Sequence, residues 1–417
     1  MKLIVCIAIF FLCSFNGYAQ EKAIIFKNVN VVDVVEGNIR KGQDVVIKEG
    51  IIQAIGKNVG TGVSGEVKDL TGMYMMPGLI DAHVHIANDP KESQEDRAKH
   101  LEYFLRHGVT SIRDAAGDAR VLQELKEGVQ QGKYLGPDIY YAAFMAGPAY
   151  FEGNDREKSM VEGWPEPYAP WMQCIRPDTD LDKAMEGVKE WGCTGVKIYG
   201  GFDRETLLPL VRKAKEYGLQ VWGHATLFPA KPWDVADAGI QVISHAYMLE
   251  WEGVSEELCG NIFENYEKFY DKIDHDKMSV ERFLQTVKSK GLIFDPTLFL
   301  CIENKMDWAI RFVKRANQIG VKICAGTDYI NDLNRPFPFI FDELDLYVEK
   351  CDFYPMEAIF TVTKVAAEAL GICNKVGTVE VGKQADLLIL SGNPFDDIKE
   401  LRKIKVVIKR GIEINVD

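Results

Sequence analysis

Between Gly78 and about Cys373 the chain alternates short apolar runs with longer amphipathic segments eight times, and no other feature restricts its fold as strongly. The runs are LIDAHVHI (79–86), VTSIRD (109–114), DIYYAAF (138–144), TGVKIY (194–199), LQVWGHA (219–225), QVISHA (241–246), GLIFDPTLFL (291–300) and VKICAGTD (321–328). Between them, EDRAKHLEYFLRHG, LDKAMEGVKEWG, RETLLPLVRKAKEYG and MDWAIRFVKRANQIG repeat apolar residues at helical spacing and end on glycine. Strand–helix alternation of this kind builds parallel βα units. Eight units predict an α/β protein with a (β/α)8 TIM-like barrel over residues 77–376.

The two ends read differently. Residues 20–76 and 377–417 are short strands joined by turns, among them DVVIKEGIIQAIG and ADLLIL. The ends of a barrel are neighbours, so these segments are expected to form one small β-sandwich domain from discontinuous sequence. Residues 1–19 carry Lys2, a 13-residue apolar run and small residues before Gln20, the pattern of a secretory signal peptide. The expected location is therefore exported, periplasmic or secreted, with no membrane span once the leader is removed.

Composition narrows the partners. Of 417 residues, 62 are acidic and 49 basic, giving a charge of −13 without any Lys/Arg run, so nucleic acid is not expected as a partner. A small-molecule substrate is, and a homo-oligomer is compatible with a barrel of this size. Removing the leader leaves seven of the nine cysteines, with no CxxC spacing, which read as buried apolar side chains plus at most an incidental disulfide.

Polar groups at the strand ends carry the chemistry. His83 and His85 close the first strand two residues apart, and strand alternation turns both to one side. Lys197, His224, His245 and Asp328 stand near the C-terminal ends of the fourth, fifth, sixth and eighth strands. In a barrel these ends converge on one face, where barrel enzymes keep their active sites. An unpaired ammonium inside a barrel costs several kcal/mol, so Lys197 demands a partner. Tyr199 and Tyr247 each follow a candidate ligand by two residues, and alternation is expected to aim their hydroxyls at the same place, to hold an oxyanion or a substrate carboxylate. Arg113-Asp114 reads as structural, and His100, His107 and His275 as solvated surface. Residues 146–178, rich in Tyr and Trp, and residues 248–290 are long enough to be functional loops above this face.

PGLIDAHVH, followed at these intervals by VKIY, GHA, SHA, GTD and GTVEVGKQADLLIL, resembles the metal-dependent amidohydrolase superfamily over residues 22–412. The VKIY lysine resembles its prolidase-like dipeptidase branch, related to the imidazolonepropionases. After the third strand the chain departs from those dipeptidases, with AGPAYFEGND in place of a Gly-Gly-His-Gly type segment. The resemblance implies two divalent metal ions, with zinc expected. His83, His85 and Asp328 would hold the first, His224 and His245 the second, and Lys197 would bridge them as a carbamate formed with CO2. It further implies that a metal-bridging hydroxide cleaves an amide or related C–N bond of a dipeptide or N-acyl amino acid, with Asp328 carrying the proton. A one-metal deaminase or imidazolonepropionase-like cyclic amide hydrolase is the alternative enzyme. A catalytically silent exported binding protein is the alternative outside catalysis.

Overall fold

The computed structural model describes residues 22–152, 160–165, 168–254, 273–274, 278–304, 306–329 and 332–416. The leader and residues 255–272 and 275–277 of the 248–290 loop, His275 among them, lie outside the described residues. Eight parallel strands follow one another as neighbours in sequence order: Leu79–Val84, Val109–Asp114, Asp138–Ala146, Gly195–Ile198, Gln220–His224, Val242–Ser244, Ile293–Asp295 and Lys322–Ile323. A short ninth strand, Met172–Cys174, pairs with the outside of the third. The sheet curls until its ends meet. Ala82 N–H donates to Ala325 O at 3.1 Å, and Val84 bridges Tyr329 in parallel.

The helices form where the periodicity placed them, for local reasons. Asp180 accepts from Asp182 and Lys183 N–H and starts helix Leu181–Glu190, while Asp203 accepts from Thr206 N–H and starts Arg204–Glu216. Both are followed by a left-handed glycine, Gly192 (φ 69°) and Gly218 (φ 71°), which a side chain would oppose. One expected element is corrected. The run GLIFDPTLFL is a strand only as far as Asp295; Pro296 cannot donate to a ladder, Thr297 turns left-handed, and Leu298–Glu303 is helical.

The second sheet draws strands from both ends of the chain, with Tyr74–Pro77 hydrogen-bonded between Ala23–Asp33 and Leu387–Leu390. Strand Leu387–Leu390 is apolar and buried on both faces. Leu387 and Ile389 join Phe26, Val31, Val45 and Met75 in a small core of their own, whereas Leu388 and Leu390 pack into the barrel's core. A polar clasp fixes this sheet to the N-terminal ends of the barrel strands. Lys409 Nζ donates to Asp386 (2.6 Å), to Asp138 (3.0 Å) and to Thr110 O (2.9 Å), and Arg410 pairs with Asp138. The clasp thus sits at the end of the barrel opposite the C-terminal strand ends. Six cysteines among the described residues are free, five of them buried, and no helix among those residues is long and apolar enough to cross a membrane.

Replacing Lys409 by Ala leaves the Asp138 and Asp386 carboxylates in a nearly closed site with Arg410 and the Gln384 amide as remaining partners. A loss of about 3–5 kcal/mol is expected, read as a lower midpoint in denaturant.

Candidate active site

Register sets the floor of the site. His224 pairs with Ser244, and Ser244 with Asp295, so three parallel strands present these side chains at one level of the barrel interior. Asp295 is fully buried and one of its oxygens, Oδ2, takes three donors: His83 Nδ1 at 2.6 Å, Ser244 Oγ at 2.9 Å and Arg113 Nη2 at 3.2 Å. Burial opposes its charge, but His83 and Arg113 more than offset this and hold its carboxyl below the usual range. A carboxylate only accepts, so the proton on His83 lies on Nδ1 and the lone pair on Nε2.

That lone pair faces a second carboxylate. His83 Nε2 is buried without a hydrogen-bond partner, 3.0 Å from Asp328 Oδ1, and His85 Nε2 lies 2.9 Å from the same oxygen. Potential ligand atoms of His83, His245 and Asp328 all fall within 4.8 Å of one another. Bonds of roughly 2.0–2.2 Å to one ion put ligand atoms about 3–3.5 Å apart, so this donor set fits a divalent metal. Ring centroids run in a row, His85 to His83 (5.4 Å), His83 to His245 (5.1 Å) and His245 to His224 (4.7 Å). Burial pushes His224 and His245 well below the ordinary histidine value, which leaves them neutral, as ligands must be. Burial would raise Asp328, but the neighbouring histidines, His83 foremost, hold it well below the carboxylate range.

The strand-end argument thus brings His83, His85, His224, His245 and Asp328 together, though by a route it did not contain. The sixth strand stops at Ser244, which takes the inward position. His245 comes next and would face outward, but its backbone turns left-handed (φ 78°) and returns the ring to the cluster. Asp328 (φ 62°) and Thr297 (φ 48°) do likewise, and Thr297 Oγ1 lies 3.0 Å from His245 Nδ1. For non-glycine residues this conformation costs about 1–3 kcal/mol each and is characteristic of functional sites.

Lys197 is fully buried beneath the histidines, where its amine donates to Ser244 Oγ at 2.8 Å. Burial, with Arg113 adding, pushes it down to about 7, so a large neutral fraction exists near neutral pH. A cavity of about 320 Å³ opens above, lined by His85, Asn88, Tyr150, Tyr199, Tyr247 and Asp328 among others.

Several expectations are corrected. Alternation places neither tyrosine hydroxyl: Tyr199 lies beyond its strand and its hydroxyl donates to Ala115 O at 2.7 Å, while Tyr247 stands in the 3-10 segment Ala246–Gly253. Both line the cavity nonetheless. His100, with 14% of its side chain exposed, lies 3.3 Å from Glu92, and His107 packs on Tyr103, so these two are not solvated surface. Asp295 was missed although it closes the seventh strand, where the same strand-end reasoning applied; the expected continuation of that strand through Leu300 hid it.

The amidohydrolase family model matches residues 74–413, and the chain belongs to that family, whose members are hydrolases acting on carbon–nitrogen bonds. Dihydroorotase of Trichlorobacter lovleyi is 35% identical over 89 residues, so the chain matches only 21% of that relative's length. Imidazolonepropionase of Thermoplasma volcanium is 24% identical over 355 residues, covering 79% of this chain and 80% of the relative. Among solved structures, a Xaa-Pro dipeptidase with bound methionine shares the fold with a TM-score of 0.70 at 22% identity, over 94% of this chain and all of the other. The ochratoxinase of Aspergillus niger does so with 0.73 at 19%, over 95% and 96%.

Glu343 supports the site from below. It is fully buried and accepts the N–H groups of Leu298 (2.9 Å) and Phe299 (2.6 Å), next to Thr297. Burial raises it from 4.5 to about 8. The folded state therefore holds a proton the unfolded chain has lost, and stability falls as pH rises from about 4.5 to about 8. Glu343→Gln should remove this contribution, so urea midpoints measured from pH 5 to pH 8 should decline less in the variant than in the parent.

Proposed function

We propose that this chain is an exported metal-dependent hydrolase that cleaves an amide or related C–N bond of a small molecule, a dipeptide or an N-acyl amino acid. The observation that carries the reading is the unpartnered His83 Nε2 set 3.0 Å from Asp328 Oδ1, with three further imidazoles in line. We assign His83, His85 and Asp328 to one metal, His224 and His245 to a second, and zinc as the ion, because imidazole and carboxylate ligands suit it. Bound there, the ions would supply Lewis acidity, bringing the pKa of water from 15.7 towards about 7 and polarising the scissile carbonyl.

The chain's own groups do the rest. Neutral Lys197 would add to CO2 through Nζ and release one proton to water, which would replace a buried amine by a carbamate anion whose oxygens could serve as metal ligands. Its remaining N–H keeps the bond to Ser244. The Asp328 carboxylate takes the proton of the attacking water and delivers it to the leaving nitrogen. Its separation from His83 and His85 keeps it at the reacting centre. Tyr247 contacts the substrate from the cavity wall, and Tyr199, its proton committed to Ala115 O, contributes its ring. Around this barrel, read as residues 77–376, the two ends are assigned to a β-sandwich domain, and residues 1–19 to a cleaved leader.

One observation favours a second reading. Among the described residues only His83, His245 and Asp328 form a tight ligand group, and the Lys197 amine is turned to Ser244, which suits a one-metal deaminase or cyclic amide hydrolase. Metal analysis of the zinc-reconstituted protein decides between them: two ions per chain are expected, and one ion with Lys197→Ala fully active selects the second reading. The substrate is sought in a library of dipeptides and N-acyl amino acids with lactams and lactones included. For whichever compound is cleaved, Asp328→Asn should lower kcat by about 10²–10⁴; unchanged turnover would remove Asp328 from the chemistry.

A further inference from the structure

Asp295 lies level with His224 and Ser244, behind His83, and is not among the residues that line the cavity. Its Oδ2 receives His83 Nδ1–H directly and Lys197 indirectly, because Lys197 Nζ donates to Ser244 Oγ and Ser244 donates to Asp295. Arg113 completes the set from the second strand, stacked on Trp222 with its guanidinium 4.6 Å from the ring centroid. The packing admits nothing else. A Cβ on Gly326 would come within 2.5 Å of His83 Cβ and 2.7 Å of Asp295 Oδ1, so the segment that follows the eighth strand packs closely against this pair.

We infer that Asp295 is the positioning residue of the metal centre: by accepting His83 Nδ1–H it confines that imidazole to the tautomer whose Nε2 lone pair faces the metal, and through Ser244 it orients Lys197. This rests on the reading of His83 as a ligand. The physical basis is that a carboxylate acceptor behind a ligating imidazole fixes its ring and raises its basicity, and losing such a partner lowers metal affinity on the order of 10- to 100-fold. Asn at 295 keeps the shape but removes the charge, and its amide can turn to donate, which favours the opposite tautomer.

The test uses the full chain stripped with chelator and titrated with zinc. Asp295→Asn should raise the zinc Kd about 10- to 100-fold. His83→Gln separates the two readings: if it binds zinc as the parent does, His83 is not a ligand and the proposed metal centre fails. If His83→Gln loses zinc and Asp295→Asn does not, the positioning role alone is overturned. A measurement on the parent guards against a variant that does not fold. In 15N-histidine-labelled metal-free protein, the His83 signals, assigned by their loss in His83→Gln, should show a protonated Nδ1 and an unprotonated Nε2. The reverse pattern would overturn the proposal.

Discussion

Two N–H groups, of Thr327 and Asp328, converge on the carbonyl of His83 at 3.1 and 2.8 Å. This junction joins the first strand to the eighth, and the centre depends on it. The two segments are far apart in the chain, yet a curled parallel sheet brings its last strand beside its first. Asp81 reinforces the junction, accepting from Thr327 N–H and Oγ1 and from His83 N–H. The same contacts that close the sheet therefore set His83 Nε2 against Asp328 Oδ1. Closure of the sheet and the geometry of the site are one event.

The interior beneath the cavity is unusually charged for a barrel core. Arg113, Lys197, Asp295 and Asp81 are all buried, and each isolated charge would cost several kcal/mol. They persist because they are arranged in contact: Arg113 with Asp295, and Lys197 with Asp295 through Ser244. Left-handed backbone at His245, Thr297 and Asp328 adds strain at the same rim. Elsewhere the barrel is filled by apolar side chains. Stability is supplied by that core and by the clasp at the opposite end, and the strained, charged rim is carried by them.

Much of this was legible in the sequence. Apolar runs with helices of period 3.6 between them define βα units wherever they occur, and polar residues at the ends of such runs can only converge once the units close into a ring. His83, His85, His224, His245 and Asp328 were found in that way. Asp295 was not, because an apolar stretch following a proline was read as more strand, and a run of that composition does not reveal whether it continues as strand or helix. The tyrosines show the same limit from the other side. Alternation describes a side chain's direction only within a strand, and both Tyr199 and Tyr247 lie past the end of one.

By itself, then, the sequence determined the kind of fold and which residues meet, because periodicity and strand-end position are local properties that the chain carries in order. What only the tertiary structure decided is how they meet: that Ser244 takes the inward place and His245 recovers it by a left-handed turn, that Lys197 lies under the cavity, and that Asp295 gathers His83, Ser244 and Arg113 on a single oxygen. These depend on strand register and on backbone torsions beyond the strand ends. Both are settled by packing between distant segments, and packing between distant segments has no local signature.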